Sequence, residues 1–481
     1  MDFNRRDILA GGSSVALWVA LGGCEKLKKQ IQNRPVRKDV STLANNDPIL
    51  QAYRDAIGQM QALPASDPRN WTAHASIHQN FCPHGNWFFL PWHRAYLMSF
   101  EKIIRKLSGV ADFGLPYWNW SCHRAIPAPF WEAGSVLNHS PRDIGPTDEA
   151  DVSIVGPNNI TSILAETDFE MFASGAATAL RGGGGFTGRL EGEPHNYIHG
   201  SFIGGTMATY MSPLDPIFWH HHNILDYLWY AWNSNGNANT NDPVYTGMNI
   251  TGQFVDGDGN PASYNVGVMP LAPLISYRFE PPANCPELAA KVDDVAFKKF
   301  LEQGARVRLE TRRAFPPIGR QLNVGMRPDV RTGAAAGATR LTLPPDAAKI
   351  GMDPASPDRL VLRLDDVMPP TDENFFVRVF IGLPEGEAAT AESPYYAGSF
   401  AFFTDAGAHH MASTFLVDVS AALARLRAAG KITSDNGVTV TLVPVPSAGK
   451  RGLRAAQTPP LSIGAISPVL IARKPKPQPL R

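Results

Sequence analysis

Cysteine is scarce: Cys24, Cys82, Cys122 and Cys285 are the four in 481 residues, too few for a small scaffold stapled by disulfides. Net charge is lacking as well. Forty-four Lys and Arg balance 44 Asp and Glu, so no global field draws in nucleic acid or anionic lipid. The apolar stretch from Ala16 to Leu21 is too short to cross a bilayer. The glycine run Arg181-Gly182-Gly183-Gly184-Gly185 lacks the Gly-Lys-Ser/Thr that cradles phosphate, and reads as a loop. What is present is the composition of a globular chain with a large core, 44% apolar and 18% charged, long enough for two or three domains.

The first 24 residues read as a targeting segment. Asn4-Arg5-Arg6-Asp7-Ile8-Leu9 sets paired arginines ahead of a modest apolar run, as in a twin-arginine signal. Leu21-Gly22-Gly23-Cys24 resembles a bacterial lipobox, which makes Cys24 a candidate for lipidation and a lipid anchor. The expectation is export by a twin-arginine-type route, to the periplasm or to a lipid-anchored position at the cell envelope.

From Pro35 to about Tyr277 the pattern is helical, rich in aromatics and broken by long loops. Asp47-Pro48 opens a run in which Ile49, Tyr53, Ile57, Met60 and Leu63 recur at helical steps. From Arg94, the residues Tyr96, Leu97, Phe100, Ile103, Ile104 and Leu107 keep that period until Gly109. A third helix is expected from Asp215-Pro216, a side-chain cap followed by proline, to about Trp232. After Tyr277 come a helical stretch over Asp293 to Thr311 and a Gly/Ala/Pro-rich connector around Gly333 to Pro345. Runs at Leu360–Leu364, Phe375–Ile381, Tyr396–Thr404, Thr414–Val419 and Val438–Val445 then suggest an antiparallel β-sandwich, with one helix over Ala421–Ala429. The expected division is a signal at 1–24, a catalytic domain at 35–280, a linker at 281–345 and a C-terminal β-sandwich domain at 346–475. No internal repeat is visible.

Of 13 histidines, 11 lie between positions 74 and 222, too concentrated for scattered surface use. They sort into two groups: His78, His84 and His93, and His195 and His199 with one of His220, His221 or His222. Neutral imidazole suits copper, zinc and iron, and two trios without a nearby carboxylate ligand point to a pair of copper ions handling dioxygen. His74 competes with His78, one turn away on the same helical face. His195 and His199 share a face at i, i+4, a spacing that serves zinc as well; its force comes from the other ligands. Helical phase does not choose the last ligand, because His221 shares a face with Ile217 and Leu228, and His222 with Phe218 and Trp229. Histidines left over are expected to be packing. His409-His410 reads as a solvated turn between strands, and Ser121-Cys122-His123 carries no evident role. Cys122 and Cys285 are left either paired or free.

Four segments bear a family likeness. Trp71-Thr-Ala-His-Ala-Ser-Ile-His78, Phe89-Leu-Pro-Trp-His93-Arg-Ala-Tyr-Leu-Met-Ser-Phe-Glu101, Pro116-Tyr-Trp-Asn-Trp120 and Asp215-Pro-Ile-Phe-Trp-His-His-His222-Asn-Ile-Leu-Asp226 resemble the signatures of the tyrosinase and polyphenol oxidase family. The likeness runs from about Arg37 to Phe279. It implies a mainly α catalytic core, a four-helix bundle with long loops holding a type 3 dicopper centre, whose ligands would be His78, His84, His93, His195, His199 and His222. Cys82-Pro83-His84 matches the arrangement that forms a thioether between Cys82 and His84. Gly188-Arg-Leu-Glu191-Gly-Glu-Pro-His195-Asn196 matches the segment in which Glu191 and Asn196 hold a water that takes the phenolic proton; Glu193 is an understudy. Phe218 would pack on a ligand ring, Asp226 would orient the ligand shell, and Gly200 and Thr209 would stand at the gate, leaving a wide mouth.

The resemblance implies a tyrosinase with two copper ions that uses O2 to hydroxylate small phenols and oxidise o-diphenols to o-quinones. A catechol oxidase without monophenolase action is the near rival, and a haemocyanin-like oxygen-binding protein the rival from another class. A dinuclear zinc hydrolase would want carboxylate ligands that the trios lack. The implied partners are O2, small phenolic substrates and a candidate copper-delivery protein, with no nucleic acid. The C-terminal domain resembles, through Tyr396-Ala-Gly-Ser-Phe400 and its strand order, the one that covers the active site in plant-type members, so a shielding role is expected.

Overall fold

The computed structural model describes residues 33–182, 185–289, 320–321, 338–368, 375–403, 412–435, 437–446 and 461–473. The export segment with Cys24, the expected helix over Asp293–Thr311 and the His409-His410 pair lie outside these residues. Among the described residues no helix is long and apolar enough to cross a membrane.

Four long helices form the first unit. Helix α1 (Pro48–Ala62) starts as expected, with Asp47 accepting the Ile49 N–H at 2.8 Å and Pro48 in the first turn. Leu50, Tyr53, Ile57 and Met60 form its buried stripe. Helix α2 (Trp71–Phe81) is capped by Asn70, which accepts from Thr72 and Ala73. Helix α3 (Phe89–Ser108) begins earlier than the apolar period from Arg94 suggests. Phe89 to Leu97 are buried all round, so that stretch carries no amphipathic alternation to read. Gly109 ends α3 at φ 74°, a left-handed cap that an L side chain resists.

Helix α4 (Ile217–Ser234) runs through the centre, buried from Ile217 to Asn233. Asp215 accepts the Ile217 N–H at 3.1 Å, but its carboxylate is mainly engaged by the buried Arg142 guanidinium at 2.8 and 2.7 Å. The Tyr53 hydroxyl donates to the Pro216 carbonyl at 3.0 Å, and the Tyr96 hydroxyl to the His74 carbonyl at 2.7 Å, tying the helices together.

The segment carrying His195 and His199 is not an α-helix. Glu191–His195 and Tyr197–Ile203 wind as wide π-type turns, with Asn196 N–H bonded to Glu191 O and Gly204 N–H to His199 O, each spanning five residues. Pro194 supplies a reason: it has no N–H to donate and its ring crowds the carbonyl four residues back, which a wider turn relieves. The two histidines still face one way, because four residues nearly complete a π turn. Short strands Val36–Arg37 and Arg278–Phe279 pair in parallel and bring the ends of this unit together. The Cys122–Cys285 pair, left open by the sequence, is a disulfide.

The second unit is built from antiparallel strands. Its elements are β1 (Arg320–Gln321), β2 (Thr339–Leu343), helix α5 (Pro345–Met352), β3 (Asp358–Val367), β4 (Phe375–Ile381), β5 (Tyr396–Ala401), β6 (Ser413–Asp418), helix α6 (Ser420–Ala428), β7 (Val438–Pro446) and β8 (Ala465–Ala472). They form two four-stranded sheets, ordered β6-β3-β8-β1 and β2-β7-β4-β5. Leu360, Leu362 and Leu364 of one sheet share a buried apolar core with Val377, Val379, Val440 and Leu442 of the other. Two expectations change. The stretch to Pro345 is not merely a connector, since β1 and β2 are strands of these sheets and the second unit therefore starts before 346. Strand β8 carries Pro468 opposite Leu362, and that proline hid it from the sequence pattern.

The second unit docks over the π-type segment. Thr187 N–H donates to Thr414 O at 2.8 Å, and Asn196 Nδ2 to Ala401 O at 2.9 Å. Arg359 holds Glu166 at 2.6 and 3.1 Å, and Arg378 holds Asp151 at 2.7 Å. Met171 and Phe186 pack with Val361, Val469 and Ile471 in a shared cluster.

Candidate metal centre

Two groups of donor side chains are buried side by side. Donor atoms of His78, Cys82, His84 and His93 lie within 4.8 Å of one another, and so do those of His195, His199, His221 and His222. Ring contacts join the groups: His84 to His195 at 5.4 Å, and His93 to His222 at 4.2 Å between centroids. Helices α2, α3 and α4 and the π-type segment thus each deliver imidazoles to one place, with His84 coming from the loop between α2 and α3.

Backbone carbonyls fix the tautomers. Nδ1–H donates to Tyr210 O from His78 (2.8 Å), to Phe89 O from His93 (2.8 Å) and to Met207 O from His199 (2.7 Å). His195 Nδ1–H donates to Asn196 Oδ1 at 2.8 Å. A neutral ring that donates from Nδ1 keeps a lone pair on Nε2. The Nε2 atoms of His78 and His195 are buried without a protein partner, and those of His199 and His222 face each other at 3.1 Å. The unpartnered Nε2 lone pairs of His78 and His195 in a dry site call for a cation, so this donor set fits metal ions.

Burial holds every one of these imidazoles below its usual pKa, reinforced by neighbouring histidines for all but His199; His93 and His199 stand at about 3. Neutral ligands are therefore available at any physiological pH. Cys82 is pushed the other way, its thiol raised well above its ordinary value by burial and the nearby Glu191 charge, which disfavours a thiolate ligand.

The alternatives left open by helical phase now separate. Trp120 donates its indole N–H to His221 Nδ1 at 3.1 Å. Neutral His221 must then carry its proton on Nε2, which spoils that atom as a ligand and leaves His222. His220 donates from Nδ1 to Pro116 O at 2.8 Å and packs between Tyr53 and Phe130. His74 stacks among Tyr96, Phe100 and Trp219. Both are packing histidines.

Other expected residues fall around this centre. Phe218 lies 4.2 Å from the His222 ring and 5.1 Å from His78. Asp226, one turn beyond His222, binds Arg94, Arg37 and the Tyr277 hydroxyl; since Arg94 follows His93, this buried charge ties α3 to α4. Glu191 is fully buried, accepting from Gly85 N–H at 2.7 Å and from the Ser174 hydroxyl, and burial lifts its carboxyl to about 8. Glu193 instead pairs with Arg189 at 2.8 Å. Cys82 Sγ stands 3.4 Å from Nδ1 and 3.6 Å from Nε2 of His84. Near-equal distances put the sulfur on the plane that contains Cε1 between them.

The gate differs from expectation. A Cβ on Gly200 would come within 2.8 Å of the Phe402 carbonyl, so its small size admits the second unit rather than widening a mouth. Thr209 donates its hydroxyl to Thr206 O. Tyr210 next to it is the residue against the centre, 5.5 Å from His84 and 5.9 Å from His78. Sequence reasoning also missed Phe403. Its ring, from the second unit, sits 4.7 Å from both His84 and His199, 5.8 Å from His195 and 5.2 Å from Tyr210.

Residues 56–235 match the common central domain of tyrosinase. Over these residues the chain is similar to the tyrosinase and polyphenol oxidase family. It is 30% identical to tyrosinase HcTyr1 of Hahella sp. (strain CCB-MM4), over 49% of this chain and 61% of that protein. Polyphenol oxidase A1 of Vicia faba is 29% identical, over 42% of this chain and 41% of its own length. The match thus spans about two fifths to three fifths of these relatives. Residues 320–467 match a domain of unknown function. In fold, the chain is similar to latent apple tyrosinase, with TM-score 0.67 and 18% identity over 91% of this chain and 97% of that one. It is similar as well to a latent aurone synthase, a polyphenol oxidase, with TM-score 0.65 and 21% identity over 92% and 90% of the two chains. The two histidine groups fit the pair of copper ions that the family uses.

Proposed function

We propose that this protein is a tyrosinase, an O2-dependent enzyme that hydroxylates monophenols at the ortho position and oxidises o-diphenols to o-quinones. The observation that carries this reading is the pair of adjoining imidazole clusters, in which His78, His93, His195 and His199 donate from Nδ1 and so keep their Nε2 lone pairs. His78, His84 and His93 would hold one copper, and His195, His199 and His222 the other. When bound, the metals supply the dioxygen redox chemistry; the protein supplies position, dryness and proton handling.

A phenol of pKa about 10 must lose its proton to bind a metal, and Glu191 is a buried carboxyl beside the ligand loop. Its bonds to Ser174 and Gly85 N–H hold it beside the His84 loop. Asn196 is engaged by His195 and by Ala401 O of the second unit. In this closed arrangement its amide is spent on the covering domain, which favours diphenol oxidation as the second reading. The discriminating experiment compares initial rates on a monophenol and its catechol in copper-loaded protein. Asn196→Ala and Glu191→Gln are expected to impair the monophenol rate more; equal losses would refute the assignment, and no quinone from either substrate would refute the oxidase reading.

The second unit acts as a shield, with Phe403 standing where the substrate ring must go. Cleavage within 333–345 would cut β2 or leave β1 apart from the rest of its sheet, so clean separation calls for a cut between Leu288 and Arg320. A thioether between Cys82 and His84 would lock the loop-borne ligand; intact mass lower by two hydrogens supports it, and an unchanged mass excludes it. Export through Arg5-Arg6 agrees with the Cys122–Cys285 disulfide, which suits an oxidising compartment. Replacing both arginines by lysine should trap the protein in the cytoplasm.

A further inference from the structure

The rim of the site carries a cation that the proposed chemistry does not use. Arg181 leaves the glycine-rich loop and donates from Nη1 to Gln79 O at 2.8 Å and Asn80 O at 2.6 Å, the carbonyls that end helix α2 just beyond His78. Its guanidinium carbon lies 5.3 Å from the Tyr210 ring centroid. Tyr210 in turn touches Phe403 at 5.2 Å and His84 at 5.5 Å. A permanent positive charge is therefore pinned, by a helix C-terminus and an aromatic face, two ring contacts from the place where a substrate ring is received.

Three further features agree. Arg181 is exposed to solvent, so its charge is open to an incoming ligand. Among the described residues no carboxylate pairs with it, and only Nη1 is engaged, leaving the other guanidinium donors for an incoming acceptor. Its place is close to the centre: the Tyr210 ring that it faces lies 5.5 Å from His84 and 5.9 Å from His78. Glu191, the carboxyl beside the His84 loop, is buried and already hydrogen-bonded to Ser174 and Gly85.

A phenol with its oxygen among the histidines would take the place of the Phe403 ring, and a para substituent directed towards Tyr210 would then approach Arg181. The geometry points to Arg181 as a specificity-determining residue that favours phenols bearing a carboxylate on a short para side chain. This rests on the phenol oxidase reading above and deepens it by naming the substrate class. Arg suits the task, because its planar fork meets a carboxylate with two parallel hydrogen bonds. Discrimination is a difference of affinities, so it belongs in KM and not in the chemical step.

The test uses the full, copper-loaded chain carrying Phe403→Ala so that the site is open, with and without Arg181→Gln, Arg181→Lys or Arg181→Glu. Three catechols with the same ring are compared: 3-(3,4-dihydroxyphenyl)propionate, its methyl ester and dopamine. Arg181→Gln is expected to raise KM for the propionate about three- to fivefold, the scale of a solvent-exposed ion pair, with kcat and the other two substrates unchanged. Arg181→Lys should restore part of the preference, Arg181→Glu should turn it towards dopamine, and added salt should weaken it in the parent. Equal KM changes for all three substrates, as from a mere loosening of α2, would overturn the proposal, and so would no change. In parallel, calorimetric binding of 3-phenylpropionate against 3-phenylpropanamide reads the same charge selectivity without turnover. If no catechol is oxidised, the oxidase reading fails, and the binding comparison still decides for or against Arg181.

Discussion

Replacing Phe403 by alanine should open the site while leaving the second unit docked. The ring is half-buried and touches His84, His199, His195 and Tyr210. Fully burying a phenylalanine is worth about 1.5–3 kcal/mol; a half-buried ring takes the low end, and its edge contacts to other rings add about 0.5–1.5 kcal/mol. A substrate that must expel it therefore loses about 2 kcal/mol, which at 1.36 kcal/mol per decade is about 30-fold. The Asn196–Ala401, Thr187–Thr414 and Arg359–Glu166 links do not involve this ring. Closure is then a competition for one space, and KM carries the effect. The assay is the initial rate of quinone formation from 4-methylcatechol across substrate concentration, in copper-loaded full-length protein. A KM about 30-fold lower at near-constant kcat is the expected outcome. An unchanged KM, or a change confined to kcat, would refute the reasoning. Val244→Ser, an exposed apolar side chain elsewhere, serves as the control.

Gly200→Ala puts a methyl 2.8 Å from the Phe402 carbonyl and should loosen docking, seen as faster protease release of the second unit and higher activity on catechols; unchanged release would contradict the contact. Asp226→Asn leaves Arg94 buried without its counter-charge and Arg37 with Glu101 alone, and should cost about 3–5 kcal/mol in denaturant unfolding of the copper-free protein. Glu191 sets a pH dependence with a definite sign. Its folded value, about 8, lies above the ordinary 4.5, so across that window the folded state keeps a proton that the unfolded chain has lost. Stability of the copper-free protein should fall as pH rises from the ordinary value through the folded one, by at most about 1.4 kcal/mol per unit. Glu191→Gln should flatten that slope in thermal unfolding measured against pH; an identical slope would remove Glu191 as its source.

Much of the site was legible because its chemistry is written in residue type and local spacing. His78, His84, His93, His195 and His199 stand out by concentration, and α1 and the end of α3 by caps and periodicity that depend only on neighbours. The start of α3 was not legible, since a helix buried on all sides has no polar face to mark its phase. The π-type segment was not either: α and π turns differ in hydrogen-bond reach, and the HxxxH spacing suits both. Strand β8 hid behind Pro468, because local rules treat proline as a break while a sheet can accept one at the cost of a single donor.

What the sequence determined alone was which donors exist and on which short stretches they ride: two histidine sets, an acid four residues before one of them, and a thiol two residues before His84. Tertiary structure decided which of them serve. His222 is separated from His221 by the indole proton of Trp120, a hundred residues away in the chain, and His78 from His74 by which ring meets the other imidazoles. It alone brought Phe403, Tyr210 and Arg181 to the mouth and gave Gly200 its meaning as a landing place. Those roles arise from contacts between distant segments, and no periodicity along the chain encodes a distance between segments that meet only after folding.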